Sequence, residues 1–287
     1  MSEQKRTNVH LTGAGRISGG YYDTVIVAGS GRIEGDVDAN LIKTAGSCRI
    51  DGDVKTKELR TAGSCRVSGD VQAERMRTAG SCVIEGDVHA DEVRIAGTQT
   101  VEGTLRAKEI TSAGSLKVTE DVEAEKFLSR GGFEIGGLLS AEEIKIELGG
   151  GKVSEIGGTR IEVRQRGRSF WGWRRQPRVH VQIRRDLEDL GETLESVFED
   201  LGRIGEEVGR AVSEGLGHAF GWSHSWGYLE ADTIEGDEIF LENTKARAVR
   251  GKKIQIGEGC EIESVEYSES LEVAPGAHVK SQTKVGG

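Results

Sequence analysis

A 17-residue repeat dominates the first half of the chain and constrains its fold more than any other feature. Between residues 28 and 129 the repeat occurs six times, and each copy begins with Ala-Gly. The inner copies read AGSCRIDGDVKTKELRT, AGSCRVSGDVQAERMRT and AGSCVIEGDVHADEVRI. A fixed period that holds without insertion or deletion is typical of folds in which similar units stack along one axis.

Three positions of the repeat are apolar in every copy, which indicates columns of buried side chains. The sixth position is occupied by Ile33, Ile50, Val67, Ile84, Val101 and Val118. The tenth and fifteenth positions, which start at Val37 and Ile42, are apolar in all six copies as well. The twelfth position is Ala or Thr, and turn pairs such as Gly52-Asp53 separate the apolar columns.

The length of the repeat favours strands over helices. Two helices and their turns need about 33 residues or more, whereas 17 residues can hold three short strands with a bend after each. The β-branched residues and the Gly-Asp turns also indicate strands. We therefore predict an all-β fold, a parallel β-helix (β-solenoid) of about 17 residues per turn, whose turns stack about 4.8 Å apart.

The repeat divides the chain into four parts. Residues 1–8 are a polar tail, and residues 9–163 form the β-helix, with degenerate turns before and after the regular copies. Residues 164–227 break the pattern as an insert, and residues 228–287 resume the β-helix at the same spacing. The shared period favours one continuous rod, although two rods joined by a hinge stay open at this point.

The degenerate first turn aligns with the next turn at an offset of 16 residues. This offset places Ile17 over Ile33 and Val25 over Leu41. Terminal repeats of stacked folds are often atypical because they cap the stack.

Composition excludes several functions. Of 287 residues, 42 are Gly, and aromatic residues make up 5%, which suits a narrow core. The net charge of −10 argues against nucleic acid as a partner. The start, MSEQKRTNVH, lacks an apolar signal region, and no stretch approaches the roughly 20 apolar residues of a spanning helix. We predict a cytoplasmic protein, peripheral at most to the inner face of the membrane.

No residues are predicted to be catalytic, to bind a cofactor or to hold a metal. Cys48, Cys65 and Cys82 share one repeat column, but no Cys-x-x-Cys pair accompanies them, so we interpret them as small buried residues. The repeated carboxylates, such as Glu34 and Asp36, are explained by turns and a solvated surface. The chain is therefore not expected to be an enzyme.

The insert has a basic, aromatic part and an acidic part. Its candidate contact residues are Phe170, Trp171, Trp173, Arg174, Arg175, Trp222 and Trp226. Its acidic part has apolar residues at alternating spacings of three and four, namely Leu187, Leu190, Leu194, Val197, Leu201, Ile204 and Val208. This spacing predicts an α-helix with a seam for packing or self-association.

Three interpretations of the aromatic and basic cluster stay open. It would pack beneath the helix of the insert, touch anionic lipid with its Trp side chains at the interface, or bind an acidic partner. That partner would be another cytoplasmic protein or the acidic helix of a neighbouring copy.

Units such as EGDVDANLI, DGDVKTKEL, SGDVQAERM and EGDVHADEV resemble those of the bactofilins, polymer-forming cytoskeletal proteins of bacteria. The resemblance is good over residues 28–146 and fair over 228–285. It implies a right-handed triangular β-helix that assembles end to end into filaments without nucleotide. It also implies a scaffold role in cell shape, in localising wall enzymes or in motility. Two departures are the absence of a short apolar start in residues 1–8 and the presence of the insert.

Physical reasoning predicts self-assembly independently. The last turn at either end of a β-helix has unpaired backbone N–H and C=O groups and open apolar columns, and an end contact that does not close on itself gives a filament. The predicted end-contact residues are Val9, Leu11, Ile17, Leu271, Val273 and Val279. The main partner is therefore expected to be another copy of the chain.

Two other functions stay open. An acyltransferase or carbonic anhydrase on a left-handed β-helix would need a six-residue sub-period, which 17 residues per turn do not contain. A binding module would use the rod to display the insert, and the insert would recruit a partner or the membrane.

Overall fold

The computed structural model describes residues 6–147, 149–165 and 227–286, and within these residues it contains 19 β-strands and no helix. The strands belong to one parallel sheet that winds through about 13 turns of about 17 residues. The predicted all-β solenoid is confirmed. The predicted helix and seam of the insert lie outside the described residues.

The first three strands are β1 (Thr7–Leu11), β2 (Ala14–Val27) and β3 (Ser30–Thr44). The regular turns that follow alternate a short strand with a strand of eight residues. The short strands are β4 (Ser47–Asp51), β6 (Ser64–Val67), β8 (Ser81–Ile84), β10 (Thr98–Val101) and β12 (Ser115–Val118). The long strands are β5 (Val54–Thr61), β7 (Val71–Thr78), β9 (Val88–Ile95), β11 (Leu105–Ser112) and β13 (Val122–Ser129).

Each regular turn thus has two strands rather than the three expected from the sequence. The pairing of the longer strand is interrupted at its middle. Ala107 pairs with Ala124 and Glu109 pairs with Lys126, whereas Lys108 between them has no backbone partner in the ladder. The interruption falls at the same place in the neighbouring turns.

The remaining strands are β14 (Gly132–Glu147), β15 (Gly151–Arg164), β16 (Leu229–Leu241), β17 (Thr244–Ile256), β18 (Glu261–Val273) and β19 (His278–Lys284). β15 and β16 flank the insert, and they pair directly in parallel from Gly151–Leu229 to Val163–Leu241. The ladder is therefore continuous across the insert.

The apolar columns lie in register inside the solenoid. Ile50 pairs with Val67, and Val67 pairs with Ile84, as the 17-residue period predicts. Every residue of the sixth, tenth and fifteenth columns is buried. Because strand side chains alternate between the two faces, the residues directly beside a column residue point outward, as the exposed Asp53 and Lys55 do beside the buried Val54. Burying each apolar side chain of the three columns stabilises the fold by about 1.5–3 kcal/mol.

The first turn departs from the predicted alignment in one half. Ile17 pairs with Ile33 as expected, but the register shifts between Ser18 and Gly20. Val25 consequently pairs with Ile42 rather than with Leu41. The offset of 16 residues therefore holds only before the shift, and the offset of 17 returns after it.

A corner of the rod stacks glycine directly over glycine. A Cβ atom on Gly80 would collide with the carbonyl oxygen of Gly63 in the turn before it. Gly13, which occupies the same corner in the first turn, has nothing within 4 Å of the corresponding position. The repeated Ala-Gly pair is therefore a steric requirement of stacking.

A file of small residues also runs along the rod, and we call it the small-residue file. In stacking order it consists of Thr7, Tyr22, Ala39, Thr56, Ala73, Ala90, Ala107, Ala124, Ala141, Gly158, Gly236, Gly251, Tyr267 and Lys284. A Cβ atom on Gly158 would lie 2.5 Å from the carbonyl oxygen of Ala141 and 3.3 Å from Cδ1 of Ile144. The file therefore faces the core, where space is tight.

Candidate functional site: the two ends of the rod

Exposed apolar side chains concentrate at the ends of the rod. Among the described residues, four large apolar side chains are exposed. Three of them lie in terminal segments: Tyr21 is 56% exposed, Val273 37% and Val285 47%. The fourth, Tyr228, lies at the base of the insert. The column residues of the middle turns are buried, so the two ends are the candidate interaction site.

The first end is built by β1 and the first part of β2. Val9 pairs with Val25 and Leu11 pairs with Val27, and no described strand lies on the other side of β1. Leu11 and Ile17 are half-buried and pack against the core. The three residues predicted for this end are thus together in the first turn, beside an open strand edge.

Arg6 and Tyr22 fix the geometry of this first turn. Arg6 donates from Nη1 to the carbonyl oxygen of Tyr22 at 3.2 Å, and its Nη2 lies 2.9 Å from Oδ1 of Asp38. The Tyr22 hydroxyl donates to the carbonyl oxygen of Ser18 at 2.6 Å. These contacts hold the start of the solenoid against the second turn.

The second end is built by the last part of β18 and by β19. Leu271 and Val273 pair with residues of β17, and Val279 pairs with Ile262 of β18. β19 has a described strand on one side only. The three residues predicted for this end are also together in the last turns. Lys280 does not face the end freely, because its Nζ lies 2.8 Å from Oε1 of Glu263.

The ion pair between Lys280 and Glu263 changes the pKa of the carboxyl group. The Lys280 ammonium donates to the Glu263 carboxylate and lowers the pKa of that carboxyl group. Lys280 is highly exposed, so the pair is screened by water and contributes little to stability.

The repeated Gly-Asp turns have a structural role. Oδ1 of Asp53 accepts a hydrogen bond from the backbone N–H of Asp70 at 2.9 Å, and Oδ1 of Asp70 accepts from that of Asp87 at 2.8 Å. Each carboxylate thus satisfies an amide of the following turn, which supports the interpretation of these residues as turn residues. A Cβ atom on Gly86 would collide with Oδ1 of Asp70, so the Gly of each pair makes room for this contact.

The four cysteines are buried and unpaired by disulfides, in agreement with their interpretation as packing residues. Cys48 pairs in the ladder with Cys65, and Cys65 pairs with Cys82. The pKa of the Cys48 thiol is raised by its hydrogen bond with the Cys65 thiol and by burial. Burial raises the pKa of Cys260 to about 11. Thiols held neutral in this way are poor nucleophiles.

The insert leaves the rod from a defined base. The Gln165 backbone N–H donates to Oε2 of Glu242 at 2.9 Å, and the Arg164 guanidinium lies 4.7 Å from the ring centroid of Phe240. The predicted contact residues between Phe170 and Arg175, together with Trp222 and Trp226, lie outside the described residues.

A groove of about 790 Å³ runs along one side of the rod, beside the small-residue file. Charged residues on its rim pair with one another. Nζ of Lys108 lies 2.6 Å from Oδ1 of Asp91, and Nε of Arg106 lies 2.9 Å from Oε2 of Glu123. The hydroxyl of Thr56, a buried polar residue of its lining, already donates to the carbonyl oxygen of Glu58, so we do not assign the groove a ligand.

Two further features bear on the class of site. In the part of the chain that the structure describes, no group of three or more His, Cys, Asp or Glu side chains is arranged to hold a metal ion. No helix in that part is long and apolar enough to cross a membrane.

The sequence reasoning missed two features of the site. Tyr22 and Tyr267 occupy the small-residue file near its two ends, and Thr or Ser fills a further buried column. Its hydroxyl residues are Thr44, Thr61, Thr78, Ser112 and Ser129, and Ile95 lies between Thr78 and Ser112 in the same column. Aligning the degenerate turns with the twelfth column would have revealed the tyrosines, but the register shift in the first turn obscures Tyr22.

Comparison with known proteins identifies one family whose sequences are similar to part of this chain. The sequence profile of a family described as "Bactofilin: Polymer-forming cytoskeletal" matches residues 4–89. The uncharacterized protein YhbF of Bacillus subtilis (strain 168) is 37% identical over 99 residues, which are 34% of this chain and 42% of that protein. The uncharacterized protein YhbE of the same organism is 53% identical over 57 residues, or 20% of this chain and 24% of that protein.

These matches cover less than half of either relative's length. No solved structure matches the chain. The family match falls on the first turn and the first regular repeats, where the GDV units that carry the resemblance stand in the predicted register. The resemblance to the bactofilins noted from the sequence is therefore supported by a family match over residues 4–89.

Proposed function

We propose that this protein is a cytoskeletal scaffold that polymerises with itself, end to end through its terminal turns and without nucleotide. The family description, polymer-forming and cytoskeletal, supports polymer formation. One observation carries the end-to-end mode: three of the four exposed large apolar side chains among the described residues lie in the terminal segments. The right-handed winding of the β-helix, which the resemblance implies, is part of the same proposal.

The physical drive for such assembly is the completion of the ladder. β1 and β19 each have one strand edge without a described partner. A second copy would supply the missing backbone partners, as in other cases where a strand is added to a sheet edge. It would also cover Val273, which is 37% exposed, and bury the open ends of the apolar columns.

Electron microscopy and sedimentation of four proteins test the proposal. Wild type is expected to form filaments without nucleotide over a range of salt concentrations, and addition of ATP or GTP should change nothing. Val273→Asp, and as a second variant Val279→Asp, should abolish filaments because a carboxylate would be buried between copies. Leu128→Asp is the matched control, since Leu128 lies half-buried on the side of the rod.

Circular dichroism should show that Val273→Asp keeps the strand signal of wild type, since this side chain is partly exposed already. Wild-type protein that remains monomeric at all concentrations would reject polymerisation. Filaments of normal length from both end variants would reject the end-to-end mode while leaving polymerisation intact.

A second candidate function is recruitment of a cytoplasmic partner, or of the inner membrane surface, by the insert. Two observations favour it: β15 pairs with β16 without a break, and Tyr228 is 54% exposed at the base of the insert. Replacement of residues 166–226 by a short linker should leave assembly unchanged and abolish localisation of tagged protein in cells. Unchanged localisation would remove this candidate.

A further inference from the structure

The first end of the rod is a step and not a flat surface. β1 covers only the later part of β2, from Tyr22 to Val27. The earlier part of β2, from Ala14 to Ser18, pairs with β3 and has no described strand on its other side. Over part of its circumference the first end is therefore one strand higher than over the rest.

The second end is a step of the complementary shape. β19 covers the earlier part of β18, from Glu261 to Tyr267. The later part of β18, which contains Leu271 and Val273, pairs with β17 and has no described strand on its outer side. The raised part of each end thus corresponds to the lowered part of the other.

The two steps also meet at one place around the circumference. β1 begins at Thr7 and β19 ends at Lys284, and both residues belong to the small-residue file. If a second copy were placed on the second end, its β1 would start where β19 of the first copy stops, to within one residue. The two strands would then make up one complete turn, built from two copies.

Three columns of the core have an apolar residue at both ends of the rod. The residues that terminate the same column are Val9 and Leu271, Leu11 and Val273, and Ile17 and Val279. A second copy in the register of the ladder would therefore continue all three columns, with an apolar side chain on each side of the junction. Each of these side chains would lose exposed surface, which favours association.

Contact between two like ends would leave part of the ladder open. Two first ends have too few strands for a complete shared turn, since the raised part of each is β1 alone. Two second ends have too many, since the raised part of each extends over the length of β19. In both cases some backbone N–H and C=O groups would stay unpaired, whereas a first end on a second end fills the turn.

We infer that copies of this chain join head to tail, with the first end of one copy on the second end of the next. Each junction is one turn shared by β19 of one copy and β1 of its neighbour. The inference rests on the proposed end-to-end assembly and adds the direction and the register of the contact. The partner that fits each end is therefore the opposite end of a second copy.

Two variants, each blocked at one end, test this inference. Leu11→Asp would bury a carboxylate at the first end of the rod, and Val273→Asp would do so at the second end. Each variant alone should stay monomeric at concentrations where wild type polymerises. Their equimolar mixture should form dimers of twice the 30.9 kDa mass of the chain, measured by analytical ultracentrifugation.

The matched control is a mixture of Val273→Asp and Val279→Asp, which are blocked at the same end and should stay monomeric together. Dimers in either single variant, with no further association on mixing, would show contact between like ends and overturn the inference. Monomers in the Leu11→Asp and Val273→Asp mixture would overturn it as well. If circular dichroism shows that Leu11→Asp does not fold, Val9→Asp takes its place.

The spacing of the insert in wild-type filaments gives a second test. The insert leaves the rod nearer the second end, since only β16 to β19 follow it. In head-to-tail filaments, a label attached within the insert should recur at equal intervals of about 62 Å, from about 13 turns at about 4.8 Å each. Alternating short and long intervals would overturn the inference and leave the scaffold intact. Wild-type protein that forms no polymer would instead defeat the proposed end-to-end scaffold itself.

Discussion

The middle turns and the terminal turns are built from the same kind of unit, yet they differ in what covers them. In a middle turn, Ile84 is fully buried because a turn lies on each side of it. In the last turns, Val273 has a turn on one side only and is 37% exposed. The difference shows that burial in this fold comes from neighbours along the axis, and not from the unit itself.

This comparison also explains why function would reside at the ends. The sides of the rod carry charges that pair between turns, such as Arg66 with Glu85 at 2.9 Å. The ends have strand edges and apolar columns that only another turn can complete. The following predictions compare the two regions, starting with the largest expected effect. Each is measured by urea unfolding in the Val273→Asp background, so that assembly does not add stability.

Gly80→Ala should destabilise the protein by at least about 3 kcal/mol, because its Cβ atom would collide with the carbonyl oxygen of Gly63. Gly13→Ala is the matched change in the first turn, where nothing lies within 4 Å of the new atom, and it should cost less than about 1 kcal/mol. Equal losses for the two variants would contradict the steric account of the corner.

Ile84→Ala should lower the free energy of unfolding by about 3 kcal/mol, as expected for a large aliphatic side chain removed from a closed core. Ile17→Ala, in the same column of the first turn, should cost about 1 kcal/mol because Ile17 is only half-buried. A first-turn variant as damaging as the middle one would show that the end of the core is closed.

A pH series tests how tightly the corner before β18 is closed. Burial raises the pKa of Cys260 from 9.0 to about 11. The folded state therefore keeps its proton where the unfolded thiol loses it, and the stability due to the neutral thiol falls as the pH rises above about 9. At pH 10 this loss should be about 1.4 kcal/mol, and Cys260→Ala should lack it. Parallel pH profiles would contradict the burial of this thiol.

Asp70→Ala should destabilise the protein by about 1 kcal/mol, because the backbone N–H of Asp87 loses the carboxylate that accepts its hydrogen bond at 2.8 Å. Asp70→Asn keeps an acceptor oxygen at the same place and should stay within about 0.5 kcal/mol of the parent. A loss as large for Asn as for Ala would indicate that the charge matters, and not the hydrogen bond.

Much of the middle of the rod could be predicted from the sequence. The columns of Ile50 and its equivalents, the strand class and the small buried cysteines follow from a period that holds without a gap. Stacking forces equivalent residues into equivalent environments, so six copies report the same physical demand six times. The buried Thr and Ser residues of a further column were not predicted, because hydroxyl side chains in a sequence pattern indicate exposure to solvent. Their side chains are nevertheless small enough to fit the core.

The ends were harder to predict because they lack this repetition. Each terminal turn occurs once, so no repetition averages out its irregularities. The register shift after Ser18 moved Val25 against Ile42 and hid the place of Tyr22 in the small-residue file. The places of Leu11 and Ile17 in the first turn could still be predicted, because both residues precede the shift and follow the alternating pattern of a strand.

The axial repeat of the filaments tests the central claim most directly. If copies stack end to end with the ladder continued across the junction, cryo-electron microscopy should show one copy for about every 62 Å along the axis, from about 13 turns at about 4.8 Å each. Side density from the insert should recur once in each such length. Filaments in which copies overlap sideways, with a distinctly shorter axial repeat and free terminal turns, would contradict the account.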